Sequence, residues 1–162
     1  MPSKYFWILK FDIGVLMKRI FVKEEVCMGC RLCEIHCLVE HSKSKNIFKA
    51  FKEENPRTLP RIFVEEKGTL SFGLQCRHCE EAHCLEACMS GALYRDEKTG
   101  AILHNKDQCV GCWMCVMVCP YGAIQRDLNG KKAASKCDLC VGREAPICVT
   151  KCPNHALEFR ES

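Results

Sequence analysis

The sequence predicts an α+β fold of short hairpins and short helices, and three observations lead there. Cysteine is dense and periodic, 16 of 162 residues in four groups with none left over. Between the groups lie alternating apolar and polar segments broken by glycine-containing turns, which is the signature of hairpins. Only two Trp and three Tyr accompany eight Phe, so a large conventional core is not expected. A chain of this size then needs something besides apolar burial to hold it together.

In chain order, "MPSKYFWILKFDIGVLMKRIFV" opens apolar but carries Lys10 and Asp12. It shows no small-residue cleavage site and no twin arginine, and it is too short and too charged to cross a bilayer. Residues 1–16 read as a loose extension, with a hydrophobic docking tail as the alternative. From Met17 a strand-like "KRIFV" leads into "VCMGCRLCEIHC", which holds Cys27, Cys30, Cys33 and Cys37. Residues 38–60 break the rhythm with charge and with Pro56 and Pro60, and read as a basic insertion. Lys43, Lys45, Lys49, Lys52, Arg57 and Arg61 gather there and just beyond.

"RIFVEEKGTLSFGLQC" is a hairpin turning at Lys67-Gly68, and it delivers the second group, Cys76, Cys79, Cys84 and Cys88. "GALYRDEKTGAILHNKDQC" is the next, turning around Lys98-Thr99-Gly100 before Cys109, Cys112, Cys115 and Cys119. Asn129-Gly130 in "GAIQRDLNGKKAASKC" is a strong hairpin signal, ahead of Cys137, Cys140, Cys148 and Cys152. "MSGAL", "PYGAI" and "PNHAL" follow the last three groups. Loop, short helix and hairpin thus form an internal repeat.

Sixteen thiols without an export signal point to metal before disulfides. A [4Fe–4S] cube presents four iron corners, each taking one thiolate. Cysteines three residues apart let one curled loop meet three corners, and the fourth must come from another segment. In two-cluster ferredoxins the run C-x2-C-x2-C-x3-C-P sends its last Cys to the other cluster, and "CVGCWMCVMVCP" is that run. Such sharing ties two clusters to one segment and holds them close, which suits electron passage. Zinc is the competing reading, since paired C-x2-C motifs make tetrahedral structural sites. Zinc has no need, however, of a third cysteine in the same loop followed by a fourth.

The formal charge of +4 counts every cysteine as neutral. Each oxidised [4Fe–4S] unit with its thiolates carries about −2, so four of them bring the protein to about −4. Nucleic acid is therefore not an expected partner. The basic stretch reads either as a solvated loop or as a docking surface for a redox partner. Arg31, Arg77 and Lys136 lie in or beside cysteine loops, where a cation favours the reduced cluster unless water screens it. His36, His78 and His83 sit inside complete groups and read as surface or supporting residues, because histidine ligation would leave cysteines idle. Trp113 reads as packing that shields a cluster. No phosphate-binding loop, nucleophile elbow or acid–base constellation is present. A catalytic cluster needs an iron without a protein ligand, and sixteen thiols leave none. A redox sensor would bring a DNA-binding element, and none is recognisable.

With its four groups together the sequence resembles the four-cluster ferredoxin-type electron-transfer subunits of the dimethyl sulfoxide reductase beta-subunit type. The gaps Cys79 to Cys84 and Cys140 to Cys148 fit that pattern. "VCMGCRLCEIHCLVEHS" and the short length look most like the iron–sulfur subunit associated with carbon monoxide dehydrogenase. The resemblance implies two interleaved ferredoxin-like modules around four [4Fe–4S] clusters. The outer module is 17–37 with 137–162, and the inner is 61–136. It implies four ligand sets: Cys27, Cys30, Cys33 with Cys152; Cys137, Cys140, Cys148 with Cys37; Cys76, Cys79, Cys84 with Cys119; and Cys109, Cys112, Cys115 with Cys88. Leu38 and Met89 stand where the pattern has proline after Cys37 and Cys88, which should loosen the chain exit there. The implied function is a non-catalytic, cytoplasmic electron carrier of an anaerobic or facultative prokaryote. It would join a catalytic subunit to a second redox partner without spanning a membrane. Formate dehydrogenase, hydrogenase and molybdopterin oxidoreductases are the alternative partners.

Overall fold

A computed structural model describes residues 17–128 and 133–161. The extension 1–16 and the Asn129-Gly130 turn lie outside the described residues. Strand β1 (Lys18–Val22) alternates so that Ile20 turns inward. It pairs antiparallel with β8 (Leu157–Glu161), Lys18 opposite Glu161 and Val22 opposite Leu157, which joins the two ends of the chain. A bond from Lys23 N to Ala156 O (2.8 Å) prolongs the ladder. A short 3₁₀ turn, Glu24–Val26, then leads to the first cysteine loop.

Helix α1 (Leu32–His41) runs straight through Cys37. Leu38 takes the place of a helix-ending proline, so the missing Pro extends the helix by a turn and does not loosen the exit. After Met89 the exit also stays tight, because Gly91 N returns to Cys88 O at 3.1 Å. Helix α2 (Ile47–Lys52) gives the basic insertion its own structure. Asn46 caps it, its Oδ1 accepting from Phe48 N (3.0 Å) and Lys49 N (3.2 Å).

Strands β2 (Ile62–Lys67) and β3 (Leu70–Gln75) form the first hairpin, with Lys67 opposite Leu70. The two-residue turn is Gly68-Thr69, one position beyond the expected pair, because Gly68 is the residue that takes φ +63°. Helix α3 (His83–Glu86) follows the second cysteine loop. The β4 (Leu93–Arg95) and β5 (Ile102–His104) hairpin turns over Asp96, whose Oδ2 accepts from Thr99 N and Thr99 Oγ1. Helix α4 (Met114–Val118), strands β6 (Gln125–Arg126) and β7 (Ala134–Ser135), and helix α5 (Ile147–Thr150) complete the order.

Each strand pair stands alone as a two-stranded antiparallel sheet, an arrangement of marginal stability in water by itself. Support comes from two small cores. One gathers Ile20, Ile62, Leu139 and Leu157 with Cys37, Cys76, Cys137 and Cys148. The other gathers Ala82, Leu93, Ile102, Ile124 and Ala134 with Cys115. Helix α1 packs on α5, and α3 packs on α4. Cysteine sits in both cores in place of larger aliphatic side chains, so whatever the thiols hold is part of what stabilises the fold.

Candidate metal centres

All four leading C-x2-C loops share one backbone device. Their second intervening residue is left-handed: Gly29 (φ 65°), His78 (φ 47°), Gly111 (φ 70°) and Leu139 (φ 57°). The reversal turns successive thiols to one side of the loop. Glycine does this freely, whereas His78 and Leu139 carry a cost of about 1–2 kcal/mol each. Three residues after the last Cys of groups two, three and four comes another left-handed residue, Gly91, Gly122 or His155. Its N–H returns to the carbonyl of that Cys. The repeat seen in the sequence is therefore a repeat of φ angles.

The thiols assemble across the groups. Cys27, Cys30, Cys33 and Cys152 line one apolar cavity beside Gly73 and Leu157. Cys76, Cys79, Cys84 and Cys119 line a larger cleft walled by β1 and β3. Burial, followed by Glu34, Cys30 and Cys152, pushes the Cys33 thiol up to about 12. Burial, then Cys109, Cys84 and Cys88, pushes Cys115 up to about 11. Cys148 is raised further by burial and by Cys137, Cys37 and Cys140. The neighbours that raise each thiol come from different groups, so the groups converge. Bare thiols so placed keep their protons, and only a cation that replaces those protons makes four adjacent thiolates tolerable.

Hydrogen bonding fits sulfur as an acceptor. Arg61 N donates to Cys37 Sγ (3.2 Å), Leu93 N to Cys88 Sγ (3.4 Å) and Ala156 N to Cys152 Sγ (3.2 Å). These are the last cysteines of groups one, two and four. Leu139 N does the same to Cys137 Sγ at 3.4 Å. At Cys88 burial works against the thiolate, yet the Leu93 N–H and the Ser90 hydroxyl outweigh it and hold the thiol below its ordinary value. Backbone donors on ligand sulfur favour the reduced cluster.

Three features support the thiols, and the first of them carried no sequence signal. His41 lies between two groups, its Nδ1 on Cys37 O (2.8 Å) and its Nε2 on Asp138 Oδ1 (3.2 Å). Arg61 pairs with the other oxygen of Asp138. Burial alone would lower His41, but the Asp138 and Cys37 acceptors hold it up to about 9. Burial likewise opposes the Asp138 charge, and His41 and Arg61 hold that carboxylate well below its ordinary range. His41, Asp138 and Cys140 bring ligand atoms within 4.8 Å of one another. Because Cys140 belongs to the fourth group and Asp138 is already paired, this trio is the rim of that centre.

The second feature is His78, fully buried, its Nδ1 accepting from Ile102 N at 2.9 Å. Burial first and Lys136 next push its pKa down to about 3, so it is a neutral support. His36 is half-buried and His83 exposed. The third feature is Lys136, which is 3% exposed. Arg31 and Arg77 behave otherwise: Arg31 is exposed and paired with Glu34 and Glu66, and Arg77 is exposed with its guanidinium 4.3 Å from the Tyr121 ring. Trp113 is half-buried and takes φ 63° to start α4, so its backbone, and not a closed apolar seat, explains its place. In the basic stretch Lys43, Lys45, Lys49, Lys52 and Arg57 are exposed, and Arg61 leaves that group to serve Asp138.

Cysteine loops of one design, bringing thiols of different groups together beside donor N–H groups, define the class: a [4Fe–4S] protein built to pass electrons. Residues 69–162 match the family described as a 4Fe-4S dicluster domain. The chain belongs to this family of ferredoxin-type electron-transfer subunits, carries multiple [4Fe–4S] clusters, and is an electron carrier and not a catalyst. It is 39% identical over 147 residues to the electron transport protein HydN of Escherichia coli K12, covering 81% of each chain. An "iron-sulfur protein" of Rhodospirillum rubrum is 35% identical over 155 residues, covering 86% of this chain and 80% of its own. A probable anaerobic dimethyl sulfoxide reductase chain, YnfG of Escherichia coli K12, is 34% identical over 158 residues, covering 86% and 71%. The fold is shared with the benzoyl coenzyme A reductase active-site complex BamBC, with a TM-score of 0.50 and 24% identity over 90% of this chain and 78% of that one. Among the described residues no helix is long and apolar enough to cross a membrane.

Proposed function

We propose that the chain holds four [4Fe–4S] clusters and passes single electrons between carbon monoxide dehydrogenase and a second redox partner in the cytoplasm. The four ligand sets are those given under the resemblance, in two interleaved modules: 17–37 with 137–162 outside, 61–136 inside, and 38–60 as an insertion. One observation carries the reading. Of sixteen thiols only Cys30 and Cys112 are exposed, and they fall in different sets. Eight of the others are half-buried and six are buried, which supports two sets each open to a redox partner through one exposed thiol. Support for the interleaving comes from the β1–β8 pairing and from the α1–α5 and α3–α4 contacts. Support for the sets comes from the two cysteine-lined spaces and the mutual effects among buried thiols. The sequence "VCMGCRLCEIHCLVEHS" favours carbon monoxide dehydrogenase.

The test is anaerobic mixing of the purified protein with catalytic amounts of carbon monoxide dehydrogenase and CO. Parallel mixtures contain formate dehydrogenase with formate and hydrogenase with H₂. The visible cluster absorption should bleach fastest with CO. Bleaching only with formate or H₂ moves the carrier to that partner, and no bleaching with any of them removes the proposed role.

A further inference from the structure

Lys136 is the least expected charge in the molecule. It is 3% exposed, and among the described residues no carboxylate lies within ion-pair distance of it. Its Nζ donates to two carbonyls, those of Ile102 and of Cys137 (2.9 Å). The same Ile102 gives its N–H to His78 Nδ1 at 2.9 Å. Lys136 precedes Cys137, and His78 stands between Cys76 and Cys79. The backbone of Ile102 is thus clamped between the second and fourth cysteine groups, with a cation on its carbonyl and a neutral imidazole on its N–H. Cys76 and Cys137 also share one apolar core.

A buried ammonium without a counter-ion is strongly disfavoured. Two carbonyl dipoles offset only part of that cost, and the nearby negative charge still to be counted is that of the clusters themselves. We propose that Lys136 is the electrostatic junction of the electron path, a buried cation that raises the reduction potentials of the centres held by the second and fourth groups and so eases passage between the inner and outer pairs. This rests on the four-cluster reading above. Adding an electron makes a cluster more negative, so a fixed positive charge beside it favours the reduced form, and burial protects that effect from salt. The other cations near cysteine loops act differently: Arg31 is spent on two carboxylates and Arg77 is open to water.

The experiment is a redox titration of the anaerobically purified holo-protein, followed by electron paramagnetic resonance, with iron content measured on the same samples. Three variants separate charge from shape. Lys136→Met keeps the length, Lys136→Gln keeps a hydrogen-bond donor, and Lys136→Arg keeps the charge. The expected result is a downward shift of two of the four midpoint potentials in both neutral variants, with the other two nearer to wild type and Lys136→Arg close to wild type throughout. Four unmoved potentials in an iron-replete Lys136→Met protein would overturn the proposal, as would rescue by Lys136→Gln. If the neutral variants fail to assemble, retention of iron by Lys136→Arg alone supports a need for the charge. Loss from all three overturns it. Wild-type protein without four iron–sulfur centres would sink the underlying reading instead.

Discussion

Replacing Asp138 with asparagine removes one negative charge and almost no volume from the rim of the fourth-group centre. The substituted amide retains an oxygen for the Cys140 N–H, which Asp138 Oδ1 accepts at 3.0 Å. The change strips the partner from two cations, His41 at 11% and Arg61 at 17% side-chain exposure. Breaking a buried pair costs roughly 3–5 kcal/mol. Asp138 itself is 31% exposed, and water recovers part of that loss, so about 2 kcal/mol is the expected cost. Cluster release makes unfolding irreversible, so the observable is a rate. If the interaction forms late in folding, about 2 kcal/mol is roughly a thirtyfold faster loss of visible absorption in guanidinium. The assay compares Asp138→Asn, Arg61→Met and the double variant under anaerobic conditions. The double variant should lose less than the sum of the singles, because the pair is one interaction. An Asp138→Asn rate within about twofold of wild type would refute the reasoning.

Four further outcomes are expected. The same pair gives stability a pH window: the His41 contribution is complete below about 6.5 and is lost as pH rises through about 9, and the Asp138 contribution is lost as pH falls below its unfolded value near 3.8. Denaturation rates against pH should show the alkaline limb in wild type and lose it in Asp138→Asn. On the proposed four clusters, Cys112→Ala should lower iron by about a quarter, and iron analysis showing an undiminished content would contradict the third-group assignment. Gly111→Ala places a Cβ at φ 70° and should cost about 1–2 kcal/mol, read as faster iron loss to a chelator. Leu157→Ala, at a core position that is 5% exposed, should cost about 2–5 kcal/mol and release the outer thiols to alkylation before Cys112's neighbours.

The cysteine spacing made most of the site legible, because a curled loop with thiols three residues apart has one good use, and Cys109 to Pro120 reproduces it residue for residue. The hairpins were legible for a similar reason, since Gly68 and Gly100 mark turns that only a left-handed residue makes. What escaped depends on partners far along the chain. Nothing near Asp138 announces His41, which is 97 residues away. Arg61 lies in a basic stretch of the sequence, and only the fold carries its side chain to Asp138. Lys136 resembled Arg31 and Arg77 in sequence, and only burial separates them. His78 and Leu139 occupy the left-handed position where the other loops have glycine, so composition hid the regularity of the backbone.

The central claim is that thiols gathered in fours hold iron cubes in a row. Its most direct test is iron and acid-labile sulfide analysis, with electron paramagnetic resonance after stepwise reduction, on wild-type protein purified without air. The expected result is a brown protein with about sixteen iron and sixteen sulfide per chain and magnetically interacting reduced centres. A pale protein holding zinc, with no labile sulfide, would contradict it.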